Sequence, residues 1–395
     1  MMPMPADPAA AATLGQEAGR AMQAGRIAEA RALLVRATEL APDQAALWLH
    51  LAATCRASGD YAAALIALEQ TLRVEPRHFQ ALLMKATLIE REGRMREAAQ
   101  AFGVALTQAP PDERLDPTTR GVVQRGRALN QRYLLELRTH LDRQLLAAAP
   151  ADAESQRLAQ FLDTTLGLKP RVQQNPSNYF YPGLPPIEFW PREPFPWLAE
   201  LEAATPAIQA ELAAVLASQQ GFTPYVDYAE GIPLDQWAAL NHSLDWSAFH
   251  FYHYGQRYPD NCARCPQTMQ ALSRLPQPAV EGRMPAAMFS VLKPHTRIPP
   301  HTGVANVRLV VHLPLIVPPG CGYRVGNVTR EWRVGEAFVF DDTIEHEAWN
   351  DSDQTRVILI ADIWHPYLSA RERELIGKAM IEMDRFNGVT TPLPL

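Results

Sequence analysis

Two histidines, His301 in PPHTGVAN and His346 in DDTIEHEAW, stand 45 residues apart, each at the edge of a run whose composition predicts a β-strand. Imidazoles hold iron among other metals, and two histidines with one carboxylate and open coordination positions mark non-haem iron oxygenases. The carboxylate is missing here, because the residue two after His301, where such enzymes commonly carry Asp or Glu, is Gly303. By themselves, two histidines at this spacing are more simply read as packed or surface side chains. What decides between the readings is the set of elements that must position them.

After residue 285 the chain reads mainly as strand. AMFSVLK, VRLVVHLPLIV, GYRVGN, TREWRV, EAFVFDD and RVILIADIW are β-branched or aromatic, and turn signals such as PPG and NDSD separate them. Many short strands at close spacing predict a barrel or jelly roll, whose mouth would carry both histidines. Upstream, NYFYPGLPPIEFWPREPFPWL is too rich in proline and aromatic residues to be one helix and marks the start of a domain from about 171 to 395. A helix is expected at about 197 to 217, followed by an irregular stretch to about 270.

The first part of the chain has a different period. Gly25, Gly59 and Gly93 recur every 34 residues, as do Ala30, Ala64 and Ala98, and Pro42, Pro76 and Pro110. The glycine opens a turn between two helices, the alanine allows their close approach, and the proline follows the end of the second. This is the tetratricopeptide pattern, and it predicts three repeats over about 14 to 110. Such repeats stack into a solenoid that commonly holds a peptide or partner protein; the alternative is a solenoid that only caps or pairs the following domain. Residues 111–170 are read as a helical cap and connector. The predicted fold class is therefore multidomain α and β, a helical solenoid followed by a mostly β domain.

Composition excludes several classes. With 395 residues, 47% hydrophobic and 20% charged, the chain is long enough for two globular domains, and a net charge of -6 leaves no nucleic-acid footprint. The N-terminal MMPMPADPAAAA has neither a basic region nor a long apolar run, so no secretory signal or membrane anchor is expected. Four cysteines are too few for a disulfide framework, and a cytoplasmic location is the simplest expectation. Cys262 and Cys265 form CARC, with no second pair to complete a zinc site.

The blocks FSVLKPHTRIPPHTGVANVRLVVHLPL and WRVGEAFVFDDTIEHEAWNDSDQTRVILIADIWHP closely resemble the aspartyl/asparaginyl β-hydroxylase family of 2-oxoglutarate oxygenases, and the resemblance covers about 175 to 380. It implies a double-stranded β-helix with flanking helices, iron(II) held by two histidines with water in place of the carboxylate, and 2-oxoglutarate and dioxygen as cosubstrates. By that resemblance His301 and His346 are the metal ligands. Arg356 and Ser290 take the far carboxylate of 2-oxoglutarate, for which a guanidinium and a hydroxyl are suited, and His312 meets its metal-side carboxylate. Arg356 would otherwise pair with Asp353 or Glu345.

Arg308, Val310 and His312 alternate onto one face of a strand, so an inward His312 carries Arg308 inward. Arg308 would meet a substrate carboxylate or amide by the same resemblance, or else form an internal ion pair. Val310 departs from the protein hydroxylases of the family, which carry a second arginine there. Asp341 and Asp342 either orient ligands or form a strand-end turn. Trp246, Tyr179, Phe180 and Trp190 line a cleft or pack. His365 in DIWHP belongs to the signature but receives no metal role. The expected activity is hydroxylation of the β-carbon of Asp or Asn residues in a protein or peptide recruited by the repeats. The alternatives are the same chemistry on a free amino acid, modified peptide or lipid acyl chain, and a non-catalytic scaffold.

Overall fold

Six helices carry the 34-residue period: α1 (Pro8–Gln23), α2 (Ile27–Leu40), α3 (Ala45–Ala57), α4 (Tyr61–Val74), α5 (Phe79–Arg91) and α6 (Met95–Leu106). Each pair turns at Gly25, Gly59 or Gly93, whose φ values of 72°, 80° and 77° are open to glycine at no steric cost. Ala30, Ala64 and Ala98 are fully buried where the paired helices meet. Helix α7 (Pro117–Leu141) follows, capped by Asp116 and continued by a π-helical turn over Asp142–Leu146, and covers the last repeat with Val123 and Leu129. Gly126 is what lets α7 approach, since a Cβ there would overlap the Phe102 ring. Helix α8 (Ala153–Thr165), not anticipated within the connector, is tied to α7 by the Arg138–Asp163 ion pair at 2.7 Å.

This computed structural model describes residues 7–147 and 152–388. The start of the N-terminal stretch, part of the connector and the end of the C-terminal domain, as bounded above, lie outside the described residues. The chain divides into two units, Met1–Lys169 and Pro170–Leu395. No helix among the described residues is long and apolar enough to cross a membrane.

In the second unit the helix expected at 197 to 217 is two, α9 (Leu198–Ala203) and α10 (Thr205–Ser218), because Pro206 cannot supply the N–H that would carry the first helix onward. Then come β1 (Thr223–Pro224), β2 (Trp246–His253), β3 (Gln256–Arg257), α11 (Pro259–Arg264), α12 (Pro266–Leu272), β4 (Ala287–Leu292), β5 (Thr296–His301), β6 (Arg308–Ile316), β7 (Cys321–Val325), β8 (Val328–Arg330), β9 (Phe338–Phe340), β10 (His346–Asn350), β11 (Arg356–Trp364) and α13 (Ala370–Asn387). The major sheet has the order β1-β2-β4-β11-β6-β9 with β3 on β2, and the minor sheet the order β5-β10-β7-β8. Every pairing between these named strands is antiparallel.

Strand alternation sorts the major sheet's two faces. Leu309, Val311, Leu313, Val357, Leu359, Phe249 and Phe289 pack on the helices through Ile208, Leu212 and Val215. Trp246, Leu292, Val310, Phe340 and Ile358 face the minor sheet's Ile298, Tyr323, Val325 and Ala348. The site lies in this second layer, between the sheets, as a double-stranded β-helix requires. Part of the stretch expected to be irregular up to about 270 is in fact β2, which is buried on both faces and so lacks a polar alternation.

Candidate active site

His301 closes β5 and His346 opens β10, and the two are direct register partners across the minor sheet. Their ring centroids are 4.1 Å apart. Strand β5 tolerates Pro299 and Pro300 because it is the sheet's edge. Each imidazole is tied back at Nδ1 to a carbonyl two residues earlier, His301 to Pro299 at 2.8 Å and His346 to Ile344 at 3.0 Å. A carbonyl can only accept, so Nδ1 carries the proton in both rings and each Nε2 keeps its lone pair. Burial holds both rings below the usual imidazole pKa, so they are neutral at physiological pH, the state a ligand needs.

Among the described residues no group of three or more His, Cys, Asp or Glu side chains is placed to hold a metal. The space beside Gly303 is nonetheless not vacant. A Cβ at Gly303 would overlap Oδ2 and Cγ of Asp342, so the Asp342 carboxylate fills the volume a side chain at 303 would need. The Gly303 N–H also donates to the Asp342 carbonyl at 2.7 Å. Asp342 pairs with Arg308 Nη2 at 2.9 Å, and Arg308 Nη1 lies 3.2 Å from Asp362 Oδ1. Asp362 in turn accepts from the Ala286 N–H at 2.8 Å. Burial opposes the Arg308 charge, but the two carboxylates outweigh it and raise its pKa. Arg308 thus forms the internal ion pair, one of the two expectations for it.

Asp341 has a different task from Asp342. Its Oδ1 accepts from the N–H and hydroxyl of Thr343, and its Oδ2 from Gln174 Nε2 at 2.6 Å. Gln174 also accepts from Asn306, so the loop before His346 is fastened to the segment following His301. Burial pushes the Asp341 carboxyl up to about 6.

On the inner face of the major sheet, Ser290, Arg356 and His312 come from the adjacent strands β4, β11 and β6. Arg356 is buried, yet among the described residues no carboxylate pairs with it. Asp353 binds His295 and Glu345 binds Arg324, so neither alternative partner is used. Its one hydrogen bond is from Nη1 to the Ser290 carbonyl at 3.5 Å, Nε has none, and the guanidinium lies over the Trp332 ring at 4.8 Å. Burial lowers its pKa to about 10. Trp246 Nε1 donates to Ser290 Oγ at 3.2 Å, which leaves the serine's own proton to point elsewhere. Nδ1 of His312 and the hydroxyl of Tyr323, whose rings are 5.1 Å apart, are also buried without hydrogen-bond partners. A buried, uncompensated cation surrounded by unpaired polar atoms is costly unless an anion completes it.

Of the other flagged residues, Trp246 stays beside the histidines and the rest disperse. Trp246 is buried rather than open to a cleft, stacked on Tyr225 at 3.9 Å, while Trp237 meets the His301 ring edge at 5.1 Å. Trp190 packs on His365 at 5.0 Å, Tyr179 joins the Val304 cluster and Phe180 is exposed. Cys55, Cys262, Cys265 and Cys321 are all buried and free. Asp362, Tyr323 and Trp332 were not singled out from sequence; only the inward period of their strands or their aromatic character hinted at them.

Residues 202–366 match the aspartyl/asparaginyl beta-hydroxylase family, and residues 16–68 and 56–113 match the tetratricopeptide repeat. The second unit is thus similar over most of its length to the aspartyl/asparaginyl β-hydroxylase family. The chain is 37% identical over 149 residues to human aspartyl/asparaginyl beta-hydroxylase, covering 38% of this chain and 20% of that protein. It is 35% identical over 190 residues to the ornithine lipid ester-linked acyl 2-hydroxylase of Rhizobium tropici, 47% of this chain and 63% of that one. With human aspartate beta-hydroxylase domain-containing protein 1 it shares 34% over 207 residues, half of each chain. The chain therefore spans between 20% and 63% of these relatives' own length.

Proposed function

We propose that the hydroxylase domain is an iron(II)- and 2-oxoglutarate-dependent dioxygenase that hydroxylates the β-carbon of an Asp or Asn residue in a protein or peptide. The observation that carries this reading is the pairing of two cross-strand histidines, both with Nε2 free, with a buried Arg356 that has no carboxylate of its own. His301 and His346 would hold the metal through Nε2. Arg356, backed by Trp332, would take the far carboxylate of 2-oxoglutarate, with the Ser290 hydroxyl, whose oxygen accepts from Trp246, donating its own proton beside it. His312 supplies a further buried polar atom on the same face.

When bound, iron with 2-oxoglutarate and dioxygen supplies oxidative decarboxylation to succinate and carbon dioxide coupled to C–H hydroxylation. The protein's part is to position, to neutralise the carboxylates and to exclude water. Asp342, held by Arg308 in the space beside Gly303, would serve as a hydrogen-bond acceptor beside the metal-holding histidines. The tetratricopeptide unit recruits the partner that carries the substrate residue.

Anaerobic titration with iron(II) and 2-oxoglutarate, then succinate release on admitting oxygen with a peptide library, tests the chemistry. No metal-dependent succinate from the wild type, or full activity in His301→Ala, sinks it. Recruitment fails if removing residues 1–115 leaves turnover unchanged. A second reading, hydroxylation of a lipid acyl chain, is favoured by Val310 in the apolar inter-sheet cluster and by the likeness to the Rhizobium acyl hydroxylase. A two-arm assay with acyl-lipid vesicles and peptides separates the two.

A further inference from the structure

We infer that, within the proposed hydroxylase function, the site selects a primary amide over a carboxylate next to the reacting carbon, so that its substrate is an asparaginyl rather than an aspartyl residue. A carboxylate bound near the metal pair needs a free cation. The inner face of β6 presents Arg308, Val310 and His312, and only Arg308 is a permanent cation. Arg308 is already shared between Asp342 and Asp362, so one guanidinium faces two buried carboxylates. The other buried guanidinium of this layer, Arg356, lies beside Ser290 and Trp332, where the cosubstrate's carboxylate belongs. Val310 adds apolar surface and no charge. An aspartyl side chain would bring a third carboxylate to a group that has one cation for two.

The unpaired atoms of the triad point the same way. Arg308 Nε and Nη1 are donors without hydrogen-bond partners, Nη1 facing Asp362 only as an ion pair at 3.2 Å, and Asp342 Oδ1 is an acceptor without one. A primary amide offers both complements, a carbonyl oxygen for the guanidinium and an N–H for the carboxylate. A carboxylate offers acceptors only, and leaves Asp342 repelled and unmatched. An alkyl chain leaves both atoms unpaired, and buried polar atoms left unpaired are what a binding site discriminates against. The aromatic group Tyr225, Trp237 and Trp246 beside His301 supplies a flat apolar surface and no further cation.

The test uses the full chain and two peptide pools with degenerate flanks, identical except that one fixed position is Asn in the first and Asp in the second. Binding of 2-oxoglutarate to the Mn(II)-loaded protein is measured first, and its absence would defeat the function and this inference together. With Fe(II), 2-oxoglutarate and oxygen, the Asn pool is expected to gain 16 Da at a rate about tenfold or more above the Asp pool, the scale on which a site built to hydrogen-bond one group rejects its analogue. Asp362→Asn frees part of Arg308 and is expected to narrow that ratio to about threefold or less. Equal or faster reaction of the Asp pool overturns the inference while leaving the hydroxylase reading intact. So does an unchanged ratio in an Asp362→Asn protein whose thermal unfolding shows it folded, whereas hydroxylation confined to acyl-lipid vesicles offered in a third arm overturns both the inference and the peptide reading on which it rests.

Discussion

Completing the metal's missing carboxylate at position 303 is the natural experiment on this site, and the structure predicts that it fails unless a second residue is changed. A Cβ at Gly303 overlaps the Asp342 carboxylate, and the second carboxylate oxygen is only 2.7 Å away. Even Gly303→Ala must therefore drive Asp342 out of its place and break the 2.9 Å pair with Arg308. Removing one partner of a buried pair costs about 3–5 kcal/mol, and the displaced group finds some hydration, so a loss of about 3 kcal/mol is expected for Gly303→Ala. Gly303→Asp adds a like charge to the same volume, worth up to about 4 kcal/mol at ~4 Å and an effective dielectric of ~20.

The double variant Gly303→Asp/Asp342→Ala removes both faults, because the introduced carboxylate starts where that of Asp342 was. It should recover at least about 2 kcal/mol over Gly303→Asp, since Arg308 regains its second carboxylate. Urea unfolding of the metal-free proteins measures the stabilities, and Mn(II) titration shows whether the double variant binds the metal more tightly than the wild type. If Gly303→Ala lies within about 0.5 kcal/mol of wild type, as an ordinary surface substitution would, Asp342 does not occupy that space and the reasoning is wrong.

Arg356→Met should leave the metal-free protein as stable as wild type or more so, since it replaces a buried cation that lacks a carboxylate, while weakening 2-oxoglutarate binding about 100-fold or more; calorimetry of both processes checks the dissociation. Trp246→Phe removes the hydrogen bond to Ser290 and should raise the KM for 2-oxoglutarate about fivefold, the equivalent of a neutral hydrogen bond of about 1 kcal/mol, with kcat little changed. Burial lowers the pKa of His250 from 6.5 to about 3, so its contribution to stability is complete above pH 6.5 and lost as pH falls toward 3. That loss reaches about 2 kcal/mol at pH 5, and the unfolding midpoint of His250→Gln should depend less steeply on pH between 6.5 and 4.

The period of 34 was legible because a repeat writes the same packing demand three times, and each of its glycines has the positive φ that the demand requires. The strands holding Ser290, His312 and Arg356 were legible as β-branched or aromatic runs set between turn signals, although both of their faces are buried. Strand β5 was hidden by its two prolines, which only its place at a sheet edge excuses, and β2 by its run WSAFHFYH, which has no β-branched residue. What no local pattern carries is partnership across the sheet. Gly303 reads from sequence as the loss of a carboxylate, whereas in the fold that space is filled by a carboxylate from position 342, kept there by an arginine on β6 that a third strand also holds through Asp362. The same pairing sets two buried carboxylates against Arg308, which the sequence presents as an isolated cation. Three strands must be in register before either statement can be made, so residue types around the two histidines carry an expectation of chemistry but not the charge balance of the layer they face.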